Sequence, residues 1–188
     1  LYACGQAQGG VMGGNRLGST SLTEIFVFGK RAGRTAARES GSRKHADAKL
    51  AEEPLERLES LPGAGGTHRP IHLKRALQRL MWERVGPLRE SAGLEHALLE
   101  IGRIGEQARD LRICEIRRCN SEVSDALELS HMLATARSIV LSALARTESR
   151  GAHVRSDFPE RDDTSPLKNM VTMMRDGECS LRQVGIGQ

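Results

Sequence analysis

The chain has 188 residues, 38% of them hydrophobic and 28% charged, a balance that fits one globular domain or two small ones and argues against a mainly disordered protein. A net charge of +4 with only five aromatic residues is too mild, and too poor in stacking platforms, for a nucleic-acid-binding surface. No run approaches the ~20 apolar residues of a membrane-spanning helix.

Four irregularly spaced cysteines do not make a disulfide scaffold, and Cys114 and Cys119, five apart, match neither a redox pair nor a zinc knuckle, so no metal is expected. The chain starts at Leu1 with no basic, then apolar, leader after it. It is expected to be a piece of a longer polypeptide.

Taken in order, Leu1–Cys4 reads as a short buried strand ending at Gly5. Six glycines between Gly5 and Gly18 then forbid a regular element and leave a loop able to approach a ligand closely, with Asn15 and Arg16 embedded in it. Ser19, Thr20 and Ser21 are candidate N-caps, and Glu24 sits three residues after Ser21 as in a capping box. A helix is predicted over 21–38, buried in its first half. Its second half carries Lys30, Arg31, Arg34 and Arg38, cations suited to a helix C-terminus.

Residues 39–70, rich in Gly, Pro and Ser, read as a linker with a short amphipathic helix over 47–60. Three helical stripes follow: Leu73, Leu77, Leu80, Met81 and Val85; Leu94, Leu98, Ile101, Ile104, Ala108 and Leu111; and Ala126, Leu129, Leu133, Ala136, Val140 and Ala143. Each faces polar residues on its other side, as bundle helices require. The stripes predict a three-helix bundle within 71–150, with a turn at Cys114–Asn120. Residues 151–188 lack a period and read as an extended tail with a candidate strand at Met170–Met174 and a turn at Asp176-Gly177.

The chain contains no dinucleotide or P-loop phosphate fingerprint, and its six histidines lack ligand spacing. No complete catalytic acid/base set can be assembled from it. Two long segments carry a more specific signal. LYACGQAQGGVMGGNRLGSTSLTEIFVFGKRAG and, far downstream, ARTESRGAHVRSDFPERDD resemble, in order, two motifs of the succinate dehydrogenase/fumarate reductase flavoprotein family. L-aspartate oxidases share the first motif, but Ala152 and Val154 in the second favour the dicarboxylate reductase branch. L-aspartate oxidase and a non-catalytic helical interaction module stand as alternatives.

The resemblance implies a mainly α fold: the end of an α/β FAD-binding domain over 1–38, the linker, the bundle over 71–150 and the tail. It implies FAD shared with an N-terminal part of the same polypeptide, a small dicarboxylate substrate, and hydride transfer between succinate or fumarate and flavin. The 188 residues alone are expected to be inactive. An iron–sulfur partner is implied, and a cytoplasmic location with peripheral attachment to the inner face of the cell membrane through partner subunits.

By the same resemblance, Gln6 stands where the family has an FAD-contacting glutamate, Ser21 and Leu22 where residues contact the flavin ring, and Arg16 where an arginine binds substrate, with Asn15 beside it. Met12 replaces the family histidine, and Ser19-Thr20 replace Gly-Asn. Glu148, Arg150 and His153 are assigned to domain docking.

Overall fold

The computed structural model of the chain describes residues 2–8, 20–41, 48–116, 118–165, 167–175 and 178–186. A short 3-10 turn, Gly5–Ala7, precedes helix α1, Thr20–Ser40. A second 3-10 turn, Ala48–Ala51, leads into α2, Glu52–Ser60. The bundle consists of α3, Pro70–Val85, α4, Ser91–Gln107, and α5, Ser121–Ala145. Strand β1, Leu88–Arg89, pairs in parallel with β2, Val154–Arg155, and β3, Lys168–Arg175, pairs with β4, Glu178–Gly185, as an antiparallel hairpin.

The bundle forms where the periodicity places it. Leu73, Leu77, Leu94, Ile101, Leu129 and Val140 meet in one buried cluster, with Leu80, Met81, Leu98 and Leu133 packed at its edge. Burying each large side chain removes apolar area from water and contributes about 1.5–3 kcal/mol. Helix boundaries follow local chemistry. Pro70 opens α3 at its first turn, where no intrahelical N–H is needed. Asn120 caps α5 by accepting the Glu122 N–H at 2.9 Å. Lys74 on α3 bridges to Asp125 of α5 at 2.9 Å, on the polar rim of the core.

Several sequence expectations change. α4 stops at Gln107, so Leu111 joins the core from outside the helix, on an irregular segment bridged to His68. Residues 63–68, read as linker, are zipped to that segment: the Ile113 N–H reaches Ala64 O at 2.8 Å and the Arg112 N–H reaches His68 O at 2.8 Å. The end of the linker therefore belongs to the bundle, because its backbone groups find their partners there. The short helix over 47–60 is real but buries none of its described residues; Leu50, Leu55 and Leu58 are exposed. The strand expected at Met170–Met174 is present in the tail and longer, as β3. β3 and β4 pair in register Lys168↔Gly185, with β3 seated on α5 through a Ser138–Thr172 hydroxyl pair, while the turn expected at Asp176-Gly177 lies outside the described residues.

The N-terminal segment also departs from expectation. Residues 2–4 join no sheet and Tyr2 is exposed, although Cys4 is extended (φ −150°, ψ 168°). A strand needs a hydrogen-bonded neighbour, and no described residue supplies one. Thr20 and Ser21 lie inside α1 rather than at its cap, while Ser19 falls outside the described residues. The first half of α1 is not buried: Leu22, Ile25, Phe26 and Val27 are all exposed, and Glu24 is the one buried residue described on this helix.

Candidate functional site

The second motif, ESRGAHVRSDFPERDD, folds into a polar knot at one pole of the bundle, where all three helices have an end. α5 stops at Ala145, and the chain reverses through Ser149–His153: Arg150 and His153 exchange backbone hydrogen bonds of 2.8 and 3.1 Å across Gly151, whose φ of +61° suits glycine. β2 then lies beside β1, and the Ser156 N–H donates to Arg89 O at 2.8 Å.

Arg155 is the centre of this knot. It is 1% exposed, yet every part of its guanidinium is engaged. Nη1 donates to Ala143 O at 2.7 Å and Arg146 O at 3.3 Å, at the end of α5. Nε and Nη2 fork onto the two oxygens of Asp157, each at 2.7 Å, and Nη2 also reaches Ser91 Oγ at 2.8 Å. The guanidinium carbon sits 4.8 Å from the Phe158 ring centre. Asp157 in turn accepts the Ser91 N–H at 2.8 Å, and so caps α4. One ion pair thus places a cation at the carbonyl end of one helix and a carboxylate at the amide end of another, the favourable sense of both dipoles. The Arg155 guanidinium holds the Asp157 carboxyl well below the usual range.

Around it, Glu148 is buried and accepts from Arg146 Nη1 at 2.6 Å, from Arg150 Nε at 3.0 Å and from the Asp162 N–H at 3.0 Å. Arg150 leads the causes that hold its carboxyl below the ordinary value. Arg150 Nη2 continues to Asp162 O at 2.6 Å and Asp163 Oδ1 at 3.0 Å. Arg89 ties down the end of α3, with Nε donating to Gly86 O at 2.9 Å and Val85 O at 3.2 Å. Its Nη1 lies 2.9 Å from His153 Nδ1. A guanidinium can only donate, so Nδ1 accepts and the proton sits on Nε2, 3.3 Å from Arg146 O. Burial pushes the His153 pKa down.

Of the residues singled out from the sequence, Glu148, Arg150 and His153 therefore converge at this pole. Arg155 and Asp157 stand in the same motif, but nothing in their spacing marks the first as buried or the second as a helix cap. Arg89 and Ser91 carry no signal at all.

The first motif is positioned differently. The Gly5 N–H donates to Glu24 Oε1 at 3.2 Å, where Glu24 had been expected in a capping box with Ser21. This bond holds the Gly5–Ala7 turn on α1, and with φ at +66° and Ile25 Cγ1 only 3.2 Å from a would-be Cβ, Gly5 is the residue that fits. Gln6 is exposed on that turn; Ser21 is half-buried and Leu22 is 61% exposed in the first turn of α1. That turn carries no acidic residue, so its positive dipole end has no carboxylate of its own there. Met12, Asn15 and Arg16 lie outside the described residues. Among the described residues, no helix is long and apolar enough to cross a membrane.

Known proteins resemble the chain along most of its length. The family profile described as fumarate reductase flavoprotein C-term matches residues 74–186. The chain is 41% identical over 162 residues to a subunit of the fumarate reductase (CoM/CoB) of Methanothermobacter marburgensis, covering 85% of this chain and 29% of that protein. It is 39% identical over 194 aligned residues to the fumarate reductase flavoprotein subunit of Mycobacterium tuberculosis, covering 97% and 33%. A solved quinol-fumarate reductase with menaquinol molecules superposes with a TM-score of 0.89 at 30% identity, over 100% of this chain and 34% of that one. The chain spans about a third of the length of the relatives it matches. It belongs to the succinate dehydrogenase/fumarate reductase flavoprotein family, as part of that family's C-terminal region.

Proposed function

We propose that this chain is the C-terminal part of a FAD-dependent flavoprotein that interconverts succinate and fumarate, supplying one edge of the flavin site and one substrate-binding arginine. The carrying observation is the start of α1, a helix N-terminus with no first-turn carboxylate, beside which Glu24 anchors the turn bearing Gln6. Such a donor set fits an anionic, hydrogen-bond-accepting cofactor edge. FAD, when bound, would supply the two-electron redox chemistry of succinate–fumarate interconversion.

The chain's own residues bind and orient. The amide end of α1 at Ser21 and Leu22 favours negative charge next to it, and Gln6 accepts from a hydroxyl through its amide oxygen, more weakly than a glutamate would. Arg16, with Asn15 beside it in the glycine-rich loop, grips a dicarboxylate with its planar fork. The Glu148, Arg150 and His153 pole docks the helical region onto the rest of the polypeptide. An iron–sulfur protein serves as electron partner, and attachment to the membrane is peripheral, through partner subunits.

The test is Ser21→Asp in the full polypeptide. A carboxylate in the first turn of α1 opposes negative charge accumulating on the reduced cofactor, at about 0.3–1 kcal/mol. For a two-electron couple this lowers the flavin potential by roughly 5–20 mV. Spectroelectrochemical titration reads the shift, and an unchanged or raised potential removes α1 from the flavin site.

A further inference from the structure

A cavity of about 680 Å³ opens between the C-terminal half of α5, the knot and the β3–β4 hairpin. Its wall contains Arg89, Arg146, Arg150 and Lys168, together with His153, and among the described residues no acidic one. Two of these cations are neutralised from behind, since Arg146 and Arg150 share Glu148, and Arg150 also reaches Asp163. The other two are not. Among the described residues, Lys168 Nζ meets the amide oxygen of Gln183, at 3.2 Å, and no carboxylate. Arg89 spends Nε on backbone carbonyls and Nη1 on neutral His153, and among the described residues it has no carboxylate partner.

Arg89 is half-buried, and the charge of Arg155 adds to its desolvation in pushing its pKa down. A desolvated cation without a counter-charge is costly. Arg146, Arg150 and Arg155 in the knot each have such a partner; Arg89 faces a cavity instead. Ser142 adds a hydroxyl to the wall, while Ile139, Leu167 and Ile186 make one side apolar.

We propose that this cavity binds a small free oxyanion, a carboxylate or phosphate group on a short apolar body, held between Arg89 and Lys168. The guanidinium offers its remaining N–H groups as a fork and the ammonium a second positive charge in the same wall. None of its residues lies in the α1 region, but Arg150 and His153 are shared with the docking pole, so the site rests on that docking leaving the cavity open in the full polypeptide.

The test uses the full polypeptide and two probes, inorganic phosphate and acetate, each titrated against sodium chloride at matched ionic strength while the thermal midpoint is followed. A ligand that binds only the folded protein raises the midpoint saturably. Lys168→Glu, an exposed hairpin substitution, weakens binding about tenfold, as expected for one lost charge-assisted hydrogen bond. Arg89→Lys, which keeps the charge but not the fork, weakens it as well. Arg182→Glu on β4, outside the cavity wall, leaves it unchanged. The probe that binds more tightly identifies the anion class. A midpoint that rises no more than with chloride, or equally in wild type and Lys168→Glu, overturns the proposal.

Discussion

Arg155, at the end of β2, and Asp157, two residues beyond it, close a two-bond fork of 2.7 Å on each arm while facing opposite helix ends. The arginine holds the last carbonyls of α5 and the aspartate holds the first N–H of α4. Removing either partner strands the other. Arg155→Met leaves the Ala143 carbonyl without its charged donor and the exposed Asp157 carboxylate without its counter-ion, and so destabilises both helix ends at once. Arg155→Lys is not conservative, because one ammonium cannot serve Ala143, Ser91 and both Asp157 oxygens together. Urea denaturation of both variants checks this, and a midpoint within error of wild type in either contradicts it.

Stability should fall in two stages as the solution is acidified. His153 is held neutral by its burial and by the Arg89 donor at Nδ1, so the unfolded chain binds a proton more readily than the folded one. That stabilisation is complete above about pH 6.5 and is lost as pH falls below it. Glu148, Asp157, Asp162 and Asp163 all have lowered carboxyl pKa values, so their contribution is present above about pH 4.5 and drains as pH falls toward their folded values. Denaturation midpoints between pH 8 and 3 follow both stages, and His153→Gln should remove the first while leaving the second. A flat profile between pH 7 and 5 in the wild type shows that His153 is not held neutral.

The sequence is a good guide wherever one face of a regular element meets the core. Leu73, Leu77, Leu94, Ile101, Leu129 and Val140 repeat at helical spacing, so the three stripes are visible without coordinates. The knot is opaque for the opposite reason. Arg155 pairs with carbonyls of Ala143 and Arg146, and backbone acceptors leave no trace in side-chain pattern. β3 is half legible through Met170–Met174, but β4 alternates too weakly in Glu178–Gly185 to stand out. At the N-terminus, a strand expected at Leu1–Cys4 needs partners that the described residues do not include, and the same holds for the uncovered face of α1. The flavin-side residues Gln6, Ser21 and Leu22 come from motif resemblance alone; their geometry adds only the Glu24 anchor.

The exposed face of α1 has a practical consequence. Phe26 is 69% exposed, and Leu22, Ile25 and Val27 share its exposure on a single helix. A contiguous apolar surface of this kind promotes association. The 188-residue chain should aggregate more readily than residues 62–188, which retain both the buried cluster and the 63–68 segment bonded to it. Light scattering of the two at equal concentration measures this, and equal solubility contradicts it.

Arg16 is the residue on which substrate recognition is expected to depend in the full polypeptide. Its support is the glycine-dense loop, the helix start that follows it, and the NRLG segment in which it stands. If its fork grips a substrate carboxylate, lysine at this position offers a point charge without the second donor. The loss of a buried charge-assisted contact costs roughly 2–5 kcal/mol, or about 30- to several-thousand-fold in kcat/KM. Flavin content should change little, because Gln6, Ser21 and Leu22 rather than Arg16 are the residues proposed to contact the cofactor. Arg16→Lys and Arg16→Gln in the full polypeptide, assayed for bound FAD and for fumarate-reduction kinetics, separate the two roles. A drop in kcat/KM with FAD retained supports the substrate role. Near-normal kcat/KM in both variants makes Arg16 a loop-bracing arginine, and loss of FAD from both moves it to the cofactor.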